Sequence, residues 1–409
     1  MTDDDLELRT GTVDDVRQHA ELVAAAFLMD VDDEAIEARG LVRELDRIHV
    51  VTDEGHLVAS SAILTRDMSV PGAVIPVAHV TGVAVAPTHR RRGLLSRLMA
   101  AQFDEIRQRG TEPVAALWAS EGVIYGRFGY GLSSWHVPYE VKNAETTMTA
   151  APPAGRIRQA APRDVIDRLA EVYDRAQRLR PGISGRSKAW WEYLTTEMPS
   201  RRHGRTAERV AMYEVDGEVQ GYASYRVKQD WGDTGPKGEV FVREVVVTSA
   251  ESYAALWRFL LSIDLTRSVT YEFASADEPL PHLLTNPNAI RTSVEPALWI
   301  RLIDLPTALT ARRYAVPVDV VLDVSDDMLP DNTGRWRLCA DGEKATCEPS
   351  DYEPDLSLHV RELGAAYLGG MSLLSLAGAG RVAEHTPGSL QAASAAFGWH
   401  RAPLSFEIF

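Results

Sequence analysis

The chain has 409 residues, of which 45% are apolar, and 58 acidic against 43 basic side chains give it a formal net charge of -15. The length predicts roughly two or three domains, and the apolar share excludes a disordered or fibrous chain. The acidic balance argues against a nucleic-acid-binding protein, which needs Lys and Arg at phosphates, and suits a protein with small or cationic ligands.

The cysteines and the first residues bear on the cellular compartment. Cys339 and Cys347 stand without a CxxC pair or clustered histidines, so we predict neither a metal site nor a disulfide framework. The first ten residues, MTDDDLELRT, are acidic where a secretory signal is basic and then apolar. We therefore expect a cytoplasmic location, with secretion by a non-classical route left open.

The chain contains an internal repeat. LRTGTVDDV (8–16) is similar to IRQAAPRDV (157–165) at an offset of 149. Farther on, a pattern of two strands around a glycine turn occurs at Gly55 and again at Gly217, which is an offset of 162. The two copies are therefore predicted to share one fold.

The second offset holds without a gap over 80–99 and 242–261. Each stretch has the pattern of a buried strand, a short turn and an amphipathic helix, and the positions that are identical between them are apolar. The change of offset places an insertion of 13 residues in the second copy, which we assign to 180–204.

An acidic stretch, DVDDEAIE (30–37), precedes this part of the first copy. It lacks the glycine-centred loop and the final glutamate of an EF-hand, so we do not predict a calcium site. Two alternatives are open: a solvated loop, or carboxylates at the mouth of a pocket for cationic amines. In the second copy, RRHGR (201–205) is predicted to lie on the surface.

The turn between strand and helix differs between the copies. In the first copy Arg90–Arg92 precede Gly93 and a helix that Gly110 closes. Three cations oppose the helix dipole unless an anion such as a diphosphate is bound, so the alternatives are a solvated basic turn and an anion site. The second copy has Ser252–Ala255 at this position, without arginine or glycine. Because the fold does not need the basic residues, the anion site is favoured.

The next motif is PVAALWASEGVIYGRFGYG (113–131), with the pattern of a buried strand and then a short helix over Ser120–Arg127. Its glycines end a helix rather than open one, which argues against a dinucleotide loop. Considered without its neighbours, Tyr125 is predicted to be a tyrosine of the hydrophobic core. Next to an anion site, however, its phenol is a candidate proton donor, since its reference pKa is about 10.

The remaining chain divides into a linker and a third segment. Residues 143–155 are rich in Ala, Thr and Pro, as linkers are. From about residue 300 the chain matches neither copy and has an α+β pattern. Its apolar stretch 363–380 is short for a bilayer span and contains five glycines, so it predicts a buried element of a soluble domain. Strand-like segments are VDVVLDV (318–324), WRLCAD (336–341) and LSLHV (356–360).

The strand followed by Arg90-x-x-Gly93 at the start of a helix resembles the coenzyme A signature of GNAT N-acetyltransferases. Leu95 departs from that signature, because the family has a small residue there. The resemblance implies that strand 80–86 splays from its neighbour and that a tyrosine in the context of Tyr125–Tyr130 faces the coenzyme sulfur. The implied coenzyme-binding residues are Val83, Ala84 and Val85 for the pantetheine arm, Arg90, Arg91, Arg92, Gly93, Leu94, Leu95 and Ser96 for the diphosphate, and Ser120 and Glu121 at the following helix.

Two GNAT copies, of which only the first keeps this signature, and a third segment together resemble the actinobacterial Eis family of N-acetyltransferases. The resemblance implies a mixed α+β (α/β) chain of two tandem GNAT folds, the second degenerate, and a sterol-carrier-like domain. The implied domains are 1–145 with the coenzyme A site, 146–299 as the degenerate copy, and 300–409. The resemblance also implies acetyl-coenzyme A as cosubstrate and a homohexamer. The composition and motifs described above predict no metal, no membrane span and no nucleic-acid partner.

The function predicted from these observations is acetyl transfer from acetyl-coenzyme A to primary amines of small cationic acceptors, aminoglycoside-like or polyamine, by direct attack in a ternary complex. The alternatives are a peptide or protein lysine acetyltransferase and a non-enzymatic coenzyme- or lipid-binding sensor. The resemblance makes Tyr125 the acid and the terminal carboxylate, here that of Phe409, the base, with Glu407 the next candidate. The alternation in LSFEIF (404–409) is typical of a strand and indicates an end inserted into protein.

Overall fold

The computed structural model describes residues 6–149, 154–233 and 235–409. The chain forms two compact units. The first unit comprises the chain up to Ser134 together with Ala297–Arg401 and Ile408–Phe409, and the second comprises Trp135–Pro296 and Ala402–Glu407. The linker predicted at 143–155 lies partly outside the described residues, which omit 150–153.

The helices and strands follow one another in three stretches. Up to Ser134 they are β1 (Glu7–Thr10), α1 (Val16–Ala26), α2 (Asp33–Arg39), β2 (Ile48–Asp53), β3 (His56–Val70), β4 (Ala73–Val85), α3 (Leu94–Arg109), β5 (Val114–Trp118), α4 (Gly122–Tyr125) and β6 (Gly131–Leu132). Up to Pro296 they are β7 (Trp135–His136), β8 (Tyr139–Val141), β9 (Arg156–Ala160), α5 (Ile166–Gln177), α6 (Lys188–Thr195), β10 (Arg209–Val215), β11 (Glu218–Lys228), β12 (Trp231–Gly232), β13 (Gly235–Pro236), β14 (Gly238–Val247), α7 (Ala250–Leu261), β15 (Thr266–Tyr271), α8 (Leu280–Leu283), β16 (Ile290–Thr292) and β17 (Glu295–Pro296). Thereafter they are β18 (Leu298–Leu302), α9 (Leu305–Thr310), β19 (Val318–Ser325), β20 (Gly334–Ala340), β21 (Ala345–Pro349), β22 (Leu356–His359), α10 (Val360–Ala366), α11 (Leu373–Gly378), β23 (Val382–Glu384) and α12 (Ser389–Phe397).

The first unit contains a seven-stranded sheet in the order β1-β2-β3-β4-β5-β18-β6. Neighbouring strands are antiparallel except for β4 and β5, which are parallel and are connected through α3. The apolar residues of α3 recur at helical spacing and are buried, and Gly110 ends the helix in the left-handed conformation with φ +67°, as a C-cap glycine does. The apolar face of α3 therefore fixes it on the sheet between the two parallel strands.

The second unit repeats this order in the seven-stranded sheet β16-β8-β15-β14-β11-β10-β9, with β14 and β15 parallel. Strands β9, β10, β11 and β14 lie where the two sequence offsets place them, and α6 lies within the predicted insertion 180–204. The helix after β14 does not lie at its predicted position. The offset predicts that this helix starts at Leu256, but α7 starts at Ala250, so the expectation that Ser252–Ala255 form a turn is wrong. Ser249 caps the helix directly after β14 and thereby shortens the connection.

Two short strands enter the sheet of the other sequence copy. Strand β8 precedes the second copy's first strand yet pairs with β15, and β18 follows the second copy yet pairs with β5 and β6. The chain consequently passes between the units at Ser134 and at Pro296, whereas the sequence predicts domain boundaries at 145 and 299.

The third segment forms a five-stranded sheet in the order β21-β20-β19-β22-β23. Strands β19, β20 and β22 lie at the predicted positions, and β21 and β23 are not predicted from the sequence. The apolar stretch 363–380 is not one element. It is buried up to Leu368 and mostly exposed beyond Gly369, so the prediction of a buried element holds only for its first third. Among the described residues, none of the helices has the length and apolarity that crossing a membrane requires.

The tail Ala402–Glu407 is part of the second unit. The N–H of Leu404 donates to the carbonyl of Pro181 at 2.9 Å, and Leu404 and Phe406 are buried in the core that includes Tyr173 and Trp191. The tail has the predicted burial but forms no strand, because it is not paired with a sheet.

Candidate active site

The parallel strands β4 and β5 separate at one end. Their pairing runs from Val77 opposite Val114 to His79 opposite Ala116 and then stops, while β4 continues to Val85. Beyond that point Val83, Ala84 and Val85 have one backbone edge that no described strand covers, which is the splay that the family resemblance implies. We call this opening, between β4 beyond His79 and β5 beyond Ala116, the fork. An extended ligand can pair with such an edge as an added strand does.

The turn that follows β4 leads into an uncapped helix. Arg91 and Gly93 have left-handed backbone conformations, with φ +65° and +77°. No side chain caps α3, and its first internal hydrogen bond runs from the N–H of Arg97 to the carbonyl of Gly93 at 3.1 Å. The preceding N–H groups of the helix, those of Leu94, Leu95 and Ser96, are therefore free for an anion. The side chains of Arg90 and Arg91 are exposed beside them.

The corresponding helix of the second unit is closed to an anion. Ser249 and Ser252 form a capping box, in which each backbone N–H donates to the other's hydroxyl at 3.3 and 3.1 Å. Glu251 adds a carboxylate in the first turn and accepts a hydrogen bond from Tyr213 at 2.6 Å. Only the first unit's helix thus combines free N–H groups with arginines, so its residues fit the diphosphate of coenzyme A and those of α7 do not.

Leu95 occupies the position where the signature has a small residue. Its side chain is half-buried and packs against the core cluster that includes Met99 and Leu117. It is therefore turned toward the protein interior, and its backbone N–H stays available. Ser120 and Glu121 are exposed ahead of α4.

Tyr125 is the last residue of α4 and is 7% exposed. It belongs to the buried cluster that contains Val80 and Leu117, the first residues of β4 and β5 past the end of their pairing. Its hydroxyl has no hydrogen-bond partner in the described part of the chain. Burial, with the charge of Glu121 adding to it, raises the pKa of Tyr125 to about 12, so the phenol stays protonated at neutral pH.

The ring of Phe409 contacts the ring of His79, with 4.4 Å between centroids and an angle of 64°. His79 is buried at the last paired position of β4. Since neighbouring residues of a strand point to opposite faces, His79 and Val80 place Phe409 and Tyr125 on opposite faces of the sheet at the fork. Sequence reasoning misses His79, for which the available signal is a histidine within an otherwise apolar strand.

Glu407, the alternative base, is not available for proton transfer. It is 6% exposed, and both of its carboxylate oxygens lie 3.2 Å from the indole N–H of Trp190. Arg186 contacts it at 3.4 Å and also binds Glu244 through two hydrogen bonds of 3.0 and 2.7 Å. Its charge is therefore engaged in a buried ion cluster of the second unit.

Neither cysteine nor the acidic stretch forms a ligand set. Cys339 and Cys347 are free thiols, and no group of three or more His, Cys, Asp or Glu suited to a metal occurs among the described residues. In the stretch 30–37, Asp32 caps α2 by accepting from the N–H of Ala35 at 3.1 Å. The acidic residues thus start a short helix.

The chain matches three domain families. Residues 7–133 and 182–302 match acetyltransferase (GNAT) domain families, and residues 305–405 match a sterol carrier protein domain family. These matches confirm the predicted fold class: two GNAT folds in tandem and a sterol-carrier-like domain.

Similar proteins cover almost the whole chain. A Streptomyces avermitilis protein described as an N-acetyltransferase is 42% identical over 90% of this chain and 92% of its own length. The N-acetyltransferase Eis of Mycobacterium tuberculosis is 33% identical over 92% of both chains. The crystal structure of Eis1 from Mycobacterium abscessus superposes with a TM-score of 0.84 at 30% identity, covering 99% of this chain and 100% of that one.

Proposed function

The chain belongs to the Eis family of GNAT N-acetyltransferases and is an acyltransferase; from this premise we propose that it transfers the acetyl group of acetyl-coenzyme A to primary amines of small cationic acceptors, aminoglycoside-like or polyamine. The observation that carries the proposal is the combination in one unit of the fork and the uncapped, arginine-flanked start of α3. The second unit has the same strands and lacks this anion site.

The coenzyme supplies an acetyl thioester, and the residues of the first unit bind and orient it. Backbone groups of Val83–Val85 pair with the pantetheine arm, and the N–H groups and arginines of 90–96 bind the diphosphate. We also assign Ser120 and Glu121 to the edge of this site. The proposed reaction is metal-free and needs only an acid, a base and a backbone amide that polarises the thioester carbonyl. We place this amide near Val85.

Tyr125 and Phe409 divide the proton transfers between them. The amine attacks the carbonyl directly in a ternary complex, and Tyr125 donates its proton to the departing thiolate. The α-carboxylate of Phe409 attracts the ammonium form of the acceptor and accepts its proton, through a water molecule or with a pKa raised by burial, because a free α-carboxylate has a pKa of only about 3.5. Their positions on opposite faces of the sheet support this division, since acceptor and leaving group need separate sides of the thioester.

The remaining parts of the proposal concern the acceptor and the assembly. A formal net charge of -15 favours cationic acceptors, among which lysine side chains of peptides are the second candidate. We propose a cytoplasmic homohexamer without a nucleic-acid partner, and we retain 1–145, 146–299 and 300–409 as its three domains. The sensor alternative is set aside, because the family is one of acyltransferases.

The test is release of free coenzyme A thiol from acetyl-coenzyme A in the presence of a panel of polyamines, aminoglycosides and lysine-containing peptides. We expect amine-dependent release and an acetylated product detected by mass spectrometry with the small amines. Release only with peptides would identify a peptide acetyltransferase instead. Binding of acetyl-coenzyme A without release for any amine would contradict the proposed reaction.

A further inference from the structure

A histidine fixes the chain segment that leads into the basic turn. Between β4 and Arg90, residues Pro87–His89 form a short 3-10 turn. The Nε2 atom of His89 lies 2.8 Å from Oδ2 of Asp53, the last residue of β2. Its Nδ1 atom lies 2.8 Å from Oγ1 of Thr88. The side chains of His89 and Asp53 are only 13% and 16% exposed, so the pair is shielded from water more than a surface contact is.

Both nitrogens of the ring are used. The carboxylate of Asp53 can only accept, so Nε2 of His89 donates to it, and Nδ1 forms the second hydrogen bond with the hydroxyl of Thr88. Rotating the ring would break one of these two hydrogen bonds. The imidazole therefore ties the start of the turn to the end of a strand from a different part of the sheet.

Much of the turn is open to water. Arg90, Arg91 and Gly93 are exposed, two of the turn's residues are left-handed, and three adjacent cations repel one another. An anion site requires its N–H groups and cations to be in place before the ligand arrives, because ordering them on binding lowers the affinity. A fixed point immediately before Arg90 meets that requirement.

The second copy provides an internal comparison. In the first copy Asp53 pairs with His56 across the hairpin, and in the second copy Val215 pairs with Glu218 at the same place. The position of Asp53 is thus occupied by Val215 in the copy that has no anion site. Since the hairpin forms with valine as well, the carboxylate is not required by the fold.

We propose that Asp53 and His89, with Thr88, are positioning residues that hold the basic turn in its diphosphate-binding geometry. The proposal rests on the coenzyme site proposed above. It assigns to these residues no contact with the reacting atoms, only the pre-ordering of the turn at 90–96. Their loss should therefore affect donors that carry the nucleotide diphosphate and spare donors that lack it.

The experiment compares two acetyl donors, acetyl-coenzyme A and S-acetyl-pantetheine, which ends before the diphosphate. For Asp53→Val, which copies the second unit, we expect kcat/KM for acetyl-coenzyme A to fall about tenfold through KM, with kcat kept. We expect kcat/KM for S-acetyl-pantetheine to change less than about twofold. Thr88→Val removes only the exposed hydroxyl and should give a smaller loss in the same direction, which keeps the test valid if Asp53→Val folds poorly.

Glu295→Gln is the matched control. It removes a carboxylate that faces His136 at 3.4 Å in the second unit, and it should leave both donors unaffected. Equal losses with the two donors, or no loss with either, would overturn the positioning role. A wild-type protein that uses the two donors equally well would instead refute the coenzyme site itself, so the two failures are distinguishable.

Discussion

The substitution Gly93→Ala distinguishes an effect on coenzyme binding at the basic turn from an effect on the stability of the fold. Gly93 has φ +77°, and a Cβ built on it meets no protein atom within 4 Å. The substitution therefore costs only the left-handed conformation, about 1–2 kcal/mol of stability. A diphosphate that approaches the free N–H groups would be displaced by the methyl group. Losing one charge-assisted hydrogen bond costs about 1.5–3 kcal/mol, or about 10- to 100-fold in affinity.

Isothermal titration of coenzyme A, together with urea unfolding, measures the two effects of Gly93→Ala. The matched control is Gly217→Ala in the β10–β11 turn, where φ is +88° and a Cβ likewise meets no atom within 4 Å. Both variants should lose similar stability, and only Gly93→Ala should lose affinity. Unchanged coenzyme binding by Gly93→Ala, or an equal loss in the control, would refute the assignment of the diphosphate to this turn.

Three further predictions concern the acid, the base and the pH dependence of stability. Tyr125→Phe should lower kcat about 10²–10⁴-fold and leave the melting temperature nearly unchanged; a kcat within about threefold of wild type, with chemistry rate-limiting, would remove Tyr125 from the mechanism. Appending Gly-Ser after Phe409 should abolish acetyl transfer while calorimetry shows coenzyme binding intact, and full activity would contradict the carboxylate's role. Burial lowers the pKa of His19 to about 4, so below about pH 6.5 protonation of this histidine favours the unfolded chain. The free energy of unfolding therefore falls as the pH decreases from about 6.5 toward 4, by about 2 kcal/mol at pH 5. In urea unfolding, His19→Gln should reduce the change in the free energy of unfolding between pH 6.5 and pH 4. An unchanged pH dependence would refute the lowered pKa of His19.

The sequence predicts the repeated architecture because the two copies share their buried strand positions. Val80 and Val242 correspond. Val242 is the last residue of β14 that pairs with β15, and Val80 directly follows the last residue of β4 that pairs with β5. Burial of alternate residues is a local property, readable from the pattern. The start of the second helix is not predicted correctly, because the Ser249–Ser252 capping box starts α7 earlier than the apolar spacing alone indicates.

A local sequence pattern does not predict the exchanged strands β8 and β18 or the contacts around the candidate site. Strands β8 and β18 are short, and which sheet they join depends on partners distant in the chain. The same holds for the contact of His79 with Phe409 and for the pair of Asp53 with His89. The sequence motifs therefore indicate the turn that we propose to bind the coenzyme, whereas its contacts with Asp53 and the contact of the terminal ring are evident only from the structure.

The interleaved strands constrain how the chain acquires its structure during translation. The sheet of the first unit includes β18, and the core of the second includes Leu404 and Phe406, so both units need segments synthesised after Pro296. At about 5–20 residues per second, the ribosome needs on the order of ten seconds for Ala297–Arg401. Strand β18 is made at the start of that interval, but the core of the second unit lacks Leu404 and Phe406 until its end. An incomplete core exposes apolar surface and invites aggregation. The second unit can therefore close only after Phe406 has been made, and slow translation of this stretch would increase the demand for chaperones.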